Sequence, residues 1–256
     1  MAIVGVLHPG AMGSAVGAAL RAQGHEVLWA SEGRSAATAA RARQAGMTDT
    51  GTVAAVLARA NVVLSICPPH AALETAALAA GLGGVYVDAN AVSPQTAQAA
   101  QTAVGARFVD GGIIGPPPRR AGTTRLYLSG DDAPAVAALF AGGPLEAIVL
   151  DGEVGTASAL NMAYAAWTKG TAALLVAIRA TARANGVDDA LLAEWARSQP
   201  ALADRSLHAA DATAEKGWRW VGEMREIAAT FAEAGHPDGF HLAAAEIFDQ
   251  AVRASR

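Results

Sequence analysis

Apolar positions in the first 150 residues fall into short, unbroken runs separated by longer stretches with helical spacing. The runs at 2–7 (AIVGVL), 26–30 (EVLWA), 62–66 (VVLSI) and 85–88 (VYVD) are too short for buried helices and read as strands apolar on both faces. Between and after them, 12–23, 35–45, 52–59, 70–80 and 94–103 predict helices, several closed by glycine. Ser93 is placed to cap the last of these, with Pro94 at its first helical position. Further strand-like segments follow at 107–110, 125–129 and 146–150. Short buried strands alternating with helices predict a mostly parallel sheet with helices on both faces.

The pattern changes near residue 150. From Gly155 onward no strand is legible, and 156–184, 188–198, 200–211, 213–234 and 238–254 all read as helices. The expected organisation is an α/β domain over 1–152 followed by an all-helical domain over 153–256. An all-helical part that opens on a long apolar helix wants a partner surface, so a homodimer is expected.

Composition narrows the function. Of 256 residues 52% are hydrophobic and 16% charged, with a net charge of -4 and no basic block or aromatic platform, which argues against nucleic-acid binding. The single cysteine, Cys67, cannot form an intrachain disulfide and fits a reducing, cytoplasmic setting. Residues 1–7 lack a basic flank and read as a strand rather than a signal peptide. The apolar stretch 160–181 contains Asn161, Lys169 and Arg179, so a buried soluble helix is expected rather than a membrane span. His236 and His241 do not have metal-ligand spacing, and no metal site is expected.

The loop GVLHPGAMG, residues 5–13, joins the first strand to the first helix. A helix N-terminus offers unpaired N–H groups to a pyrophosphate. Gly10 allows close approach of a phosphate and Gly13 allows close helix–strand packing, while His8 stands where a tight-turn glycine is usual. His8, Pro9, Gly10, Ala11 and Met12 are therefore cofactor-binding candidates, and a plain structural turn is the competing reading. After the second strand, Ser31, Arg34 and Ser35 offer two hydroxyls and a guanidinium to a 2′-phosphate, which favours NADP over NAD, although Glu32 is also available for ribose hydroxyls. Cys67, Pro68 and Pro69 end the next strand and would line the crevice. Asn90 is a candidate for the nicotinamide, and Ser93, Gly111 and Gly112 for a small anionic substrate. Capped or tight turns are the alternatives for these last four. Along 156–184, Asn161 and Tyr164 share a side with Thr168 one turn further on, a candidate polar line beside the crevice with interhelix hydrogen bonding as the competitor, and Lys169, eight residues from Asn161, is a donor candidate for a sizeable substrate.

These stretches, together with DANAVSP at 88–94, DGGIIGPPP at 110–118, GTASALNMAYAAWTKG at 155–170 and WRWVGEMREIA at 218–228, resemble the 6-phosphogluconate dehydrogenase and 3-hydroxyacid dehydrogenase superfamily. The likeness is strongest to its poorly characterised branch with a short helical C-terminal domain. It implies a Rossmann-type NADP-binding domain, a helical substrate and dimerisation domain, and a small-molecule substrate. Carried onto this chain, Gly152 and Gly155 match the family's glycines ahead of its long helix, with Ala157 at the third. The family's catalytic lysine falls on Asn161 and its later asparagine on Ala165. A neutral amide at 161 cannot donate a proton as an ammonium does, which leaves Tyr164 or Lys169 as the expected relay. Three functions remain open at this point: an NADP-dependent oxidoreductase acting on a hydroxyacid or keto compound, an NADPH-dependent imine reductase, and an NADP-binding protein without turnover.

Overall fold

The structure is a computed structural model that describes residues 1–105 and 107–254. The chain divides into two compact units, Met1–Asn161 and the residues from Met162 onward.

In the first unit the sheet runs β1 (Ile3–Val6), β2 (Glu26–Trp29), β3 (Thr48–Asp49), β4 (Val62–Ser65), β5 (Val85–Asp88), β6 (Arg107–Ile114), β7 (Thr124–Ser129) and β8 (Leu145–Val149). Their spatial order is β3-β2-β1-β4-β5-β6-β7-β8. Strands β1 to β6 are mutually parallel, β7 is antiparallel to β6, and β8 is parallel to β7. The connecting helices are α1 (Ala11–Ala22), α2 (Ala36–Gln44), α3 (Val53–Leu57), α4 (Ala72–Leu78), α5 (Pro94–Val104) and α6 (Ala133–Ala137).

Successive strand side chains point to opposite faces. Val27, Trp29, Leu64 and Val87 join one buried cluster with Val16 and Leu20 of α1. Leu28, Val63 and Tyr86 join the other, with Val56, Ala76 and Ala97 of α3, α4 and α5. Both faces are covered, so the strands are apolar throughout, as their composition predicts. The chain reverses strand order between β1 and β4, and a doubly wound sheet opens its ligand crevice at the carboxyl ends beside that switch.

Two boundaries differ from expectation. β6 continues to Ile114, so Gly111 and Gly112 lie inside a strand, paired with Leu128 and Tyr127 of β7, rather than at a strand exit. β3 has only two exposed residues, too short to leave an apolar signature.

The second unit contains most of α7 (Thr156–Ala184), then α8 (Asp188–Ser198), α9 (Leu202–Glu233) and α10 (Gly239–Ala254). The predicted break near 212 is absent, and α9 is one helix of 32 residues. Neither Gly nor Pro interrupts 202–216. The buried positions Ser206, Ala209, Thr213, Gly217, Met224 and Ile227, with half-buried Trp220 between Gly217 and Met224, recur at three- and four-residue steps as one continuous stripe. Trp220 of that helix packs at a tilt against Phe248 of α10, ring centroids 5.1 Å apart. Leu175, Trp195 and Ala209 tie α7, α8 and α9 into a small core. Arg179 clamps α8 through Asp188 at 2.6 and 2.8 Å. Among the described residues, no helix is long and apolar enough to cross a membrane, and no cluster of His, Cys, Asp or Glu is suited to a metal ion.

Candidate cofactor site

The loop after β1 is built around a close approach. Gly13 sits in the first turn of α1, and a Cβ there would overlap the His8 carbonyl. Only glycine lets α1 begin this near the strand end. Gly10 is the N-cap of α1, makes no side-chain cap, and faces open space. No acidic residue occupies the first turn. The N–H groups of Ala11 and Met12 lack a protein partner among the described residues, whereas Ser14 closes back on the Gly10 carbonyl at 2.9 Å through its N–H and 2.7 Å through its hydroxyl. The helix therefore presents donors and a positive dipole end to the carboxyl edge of the sheet. His8 turns the chain without a left-handed backbone, since no non-glycine residue among those described has a positive φ.

Two buried nitrogens beside this loop have no hydrogen-bond partner, His8 Nδ1 and Arg34 Nε. Buried polar atoms are seldom left unpaired, so these two nitrogens are available to a ligand or to water. Burial, and secondarily the Arg34 guanidinium, push His8 down to about 4, so its ring is neutral at physiological pH. Arg34 forms no ion pair among the described residues. Ser35 caps α2 by accepting from Thr38 N at 3.2 Å. Ser31 stands half-buried at the end of β2. A glycine cradle, bare helix donors and unpaired cationic nitrogen together fit a phosphate-bearing dinucleotide.

The next two strand ends are held to each other. Asn90 accepts from Cys67 N at 2.6 Å and donates to Ser65 Oγ at 3.0 Å, so its amide clamps the Cys67-Pro68-Pro69 turn to the end of β5. Burial pushes the Cys67 thiol up, which keeps it protonated. Ser93 caps α5 through Thr96 N at 3.2 Å, and Pro94 follows at the first helical position, as the sequence predicts.

Asp110, which sequence reasoning passed over, is a buried hub. Its Oδ2 accepts from Ser129 Oγ (3.2 Å), Gly155 N (2.9 Å) and Ser158 N (2.9 Å), and its Oδ1 from Ser158 Oγ (2.6 Å). Ser129 Oγ in turn accepts from Ala157 N at 3.1 Å. The start of α7 is thus fully capped from β6 and β7. Gly152 and Gly155 turn the chain into it with φ of +148° and +108°. A carboxylate inside the apolar run FVDGG was the available signal, because such a group must find donors.

Gly112 brings α7 onto the sheet. A Cβ there would stand 2.9 Å from both the Ala157 carbonyl and Asn161 Cβ. Gly111 lies as tightly under the Asp88 carbonyl, at 3.0 Å. Asn161 is 6% exposed, yet its amide makes no hydrogen bond among the described residues. Of the two relay candidates, Tyr164 is exposed. Lys169 is ion-paired with Glu223 of α9, which also lies 3.8 Å from Arg219. A cavity of ≈ 620 Å³ lies by Asn61, Gly84 and Arg107 at the amino ends of β4 to β6, at the opposite edge of the sheet from the glycine loop.

Comparison with known proteins matches residues 2–139 to the NAD binding domain of 6-phosphogluconate dehydrogenase and residues 182–251 to a domain of unknown function (DUF1932). An uncharacterized 28.5 kDa protein from Methanothermus fervidus is 32% identical over 170 residues, 65% of this chain and 66% of its own length, so the chain spans just under two thirds of that relative. A solved conserved protein of unknown function, reported to be structurally similar to 3-hydroxyacid dehydrogenases, is 29% identical with a TM-score of 0.71, covering 99% of this chain and 98% of its own. A reductive aminase from Aspergillus terreus, solved with NADPH and ethyl levulinate, shares the fold at 21% identity and a TM-score of 0.61, covering 100% of this chain and 95% of its own.

Proposed function

The chain belongs to the family of the NAD-binding domain of 6-phosphogluconate dehydrogenase and has an NAD(P)-binding oxidoreductase fold, and from that premise we propose that it is an NADP-dependent enzyme moving hydride between the nicotinamide and a small hydroxyacid or keto substrate. The observation that carries the cofactor reading is the bare first turn of α1 beside the unpaired nitrogens of His8 and Arg34. The α1 donors take the pyrophosphate. Arg34, with Ser31 and Ser35, takes the 2′-phosphate by charge-assisted hydrogen bonds. Bound nicotinamide supplies the hydride, and the protein supplies alignment. Asn90 acts through the turn it holds, which forms a wall of the crevice. Residues 1–152 serve the cofactor, and 153–256 serve substrate binding and dimerisation.

Asn161 favours a second reading. Its unpaired amide orients a substrate heteroatom but cannot act as the family's lysine does. Reduction of an imine that binds already protonated fits such a site, because an iminium carbon accepts hydride to give the amine with no proton left for the site to supply. Exposed Tyr164, Trp167, Leu174, Leu207, Trp218 and Phe240 support homodimerisation through the helical part. The protein acts in a reducing, cytoplasmic compartment in this reading.

The test is direct binding of NADPH and NADH, followed by turnover across hydroxyacid, keto and imine panels. Arg34→Ala should weaken NADPH by roughly tenfold to a hundredfold, the worth of a hydrogen bond to a charged group, and leave NADH almost unchanged. Equal losses for both cofactors would sink the 2′-phosphate assignment. NADPH binding with no turnover on any panel would favour a non-catalytic binding protein.

A further inference from the structure

Arg41 lies in the last turn of α2, where the helix dipole favours a cation. Its side chain does something more specific. It leans back along the helix, donating from Nη2 to Thr38 Oγ1 at 3.0 Å and from Nε to the Pro9 carbonyl at 3.4 Å. Both acceptors are neutral, and Arg41 forms no ion pair among the described residues. One guanidinium thus joins the glycine loop to the start of α2.

On distance alone either hydroxyl could donate in the Thr38–Ser35 pair, and the Arg41 contact favours one direction. Thr38 Oγ1 accepts from Arg41, which polarises its own O–H as a donor. Ser35 Oγ lies 3.1 Å away and already accepts from Thr38 N at 3.2 Å. A hydroxyl has two acceptor lone pairs and one hydrogen. With Thr38 N and Thr38 Oγ1 both donating to it, Ser35 has its own hydrogen free to give outward. We propose that Arg41 is a positioning residue for cofactor specificity: through Thr38 it sets Ser35 as a hydrogen-bond donor to the 2′-phosphate, and through Pro9 it fixes that donor relative to the glycine loop. The inference rests on the NADP reading above and extends it to two residues that do not themselves touch the cofactor.

The experiment measures NADPH and NADH dissociation constants by fluorescence titration for the wild type, Arg41→Ala, Arg41→Lys, Thr38→Val and the Arg41→Ala/Thr38→Val double variant. Melting of each cofactor-free protein checks the fold. Arg41→Ala should lower the NADPH-to-NADH affinity ratio about tenfold, the worth of one charge-assisted hydrogen bond. Thr38→Val should lower it in the same sense. Arg41→Lys, which keeps one donor, should restore part of the loss. The double variant should be no worse than Arg41→Ala, since the two residues act in series. Fully additive losses, or equal losses for both cofactors, would overturn the relay. A wild-type preference for NADPH that survives every substitution removes this proposal alone. A wild type without that preference removes the NADP reading, and the proposal with it.

Discussion

Two helices begin near the carboxyl edge of the same sheet, and their first turns are opposites. The start of α7 is closed: Asp110 and Ser129 satisfy Gly155 N, Ala157 N and Ser158 N from within the protein. The start of α1 is open: Gly10 offers no cap, and unpaired nitrogens of His8 and Arg34 stand beside it. Both ends carry the same backbone dipole, so the difference lies in the side chains. A helix end that the protein closes itself serves to fix the helix. One left bare, in a chain of the NAD-binding-domain family, is where the proposed function puts the phosphates.

The sharpest way to break the contrast is to open the closed end. Asp110→Ala leaves the hydroxyls of Ser129 and Ser158 and two backbone N–H groups without their acceptor in a fully buried site. A buried donor left without its acceptor costs about 1–3 kcal/mol, so chemical denaturation should show a loss of at least that size or outright unfolding. A variant as stable as wild type would mean that the hub does not hold α7. Next in size is Gly13→Ala, which pushes a methyl group into the His8 carbonyl. Overpacking of this kind costs about 1–3 kcal/mol, and the more telling readout is the cofactor. The rise in melting temperature on adding NADPH should vanish, because α1 can no longer begin so near the strand. An undiminished rise would place the pyrophosphate elsewhere.

The closed end was the harder of the two to read. The open one is local: strand, glycine loop and helix are contiguous over residues 3–22, and Ser31 to Ser35 follow the adjacent strand. The hub joins residues 110, 129 and 155–158, separated by 19 to 48 positions, so no spacing announces it. Arg41 was invisible for a related reason, since a helix cation looks solvated until its acceptors on Pro9 and Thr38 are seen. Strands β1, β2, β4 and β5 were legible because burial on both faces makes them continuously apolar. β3 was not, because Thr48 and Asp49 are exposed. The break expected in α9 near 212 failed because a polar stretch without Gly or Pro does not end a helix whose buried stripe continues. Gly111 and Gly112 suggest a turn by composition, but the positions are demanded by packing: the Asp88 carbonyl lies over one and α7 over the other.

The smallest expected effect tests whether leaving α1 open has a pH signature. His8 is held to about 4 by burial first and Arg34 second, against 6.5 in an unfolded chain. Between those values the unfolded chain holds a proton on this ring and the folded chain does not, so stability rises with pH through the window and is lost as pH falls from 6.5 towards 4. The loss should be on the order of 1–2 kcal/mol, less than the full shift implies because His8 is only half-buried. Other groups titrate over the same range, so the quantity to measure is the difference in unfolding free energy between wild type and His8→Asn at pH 6.5 and pH 4.5. The wild type should lose more than the variant across that interval. Parallel pH profiles would mean that the ring is hydrated in solution, and that the open end of α1 is satisfied by water until the phosphates arrive.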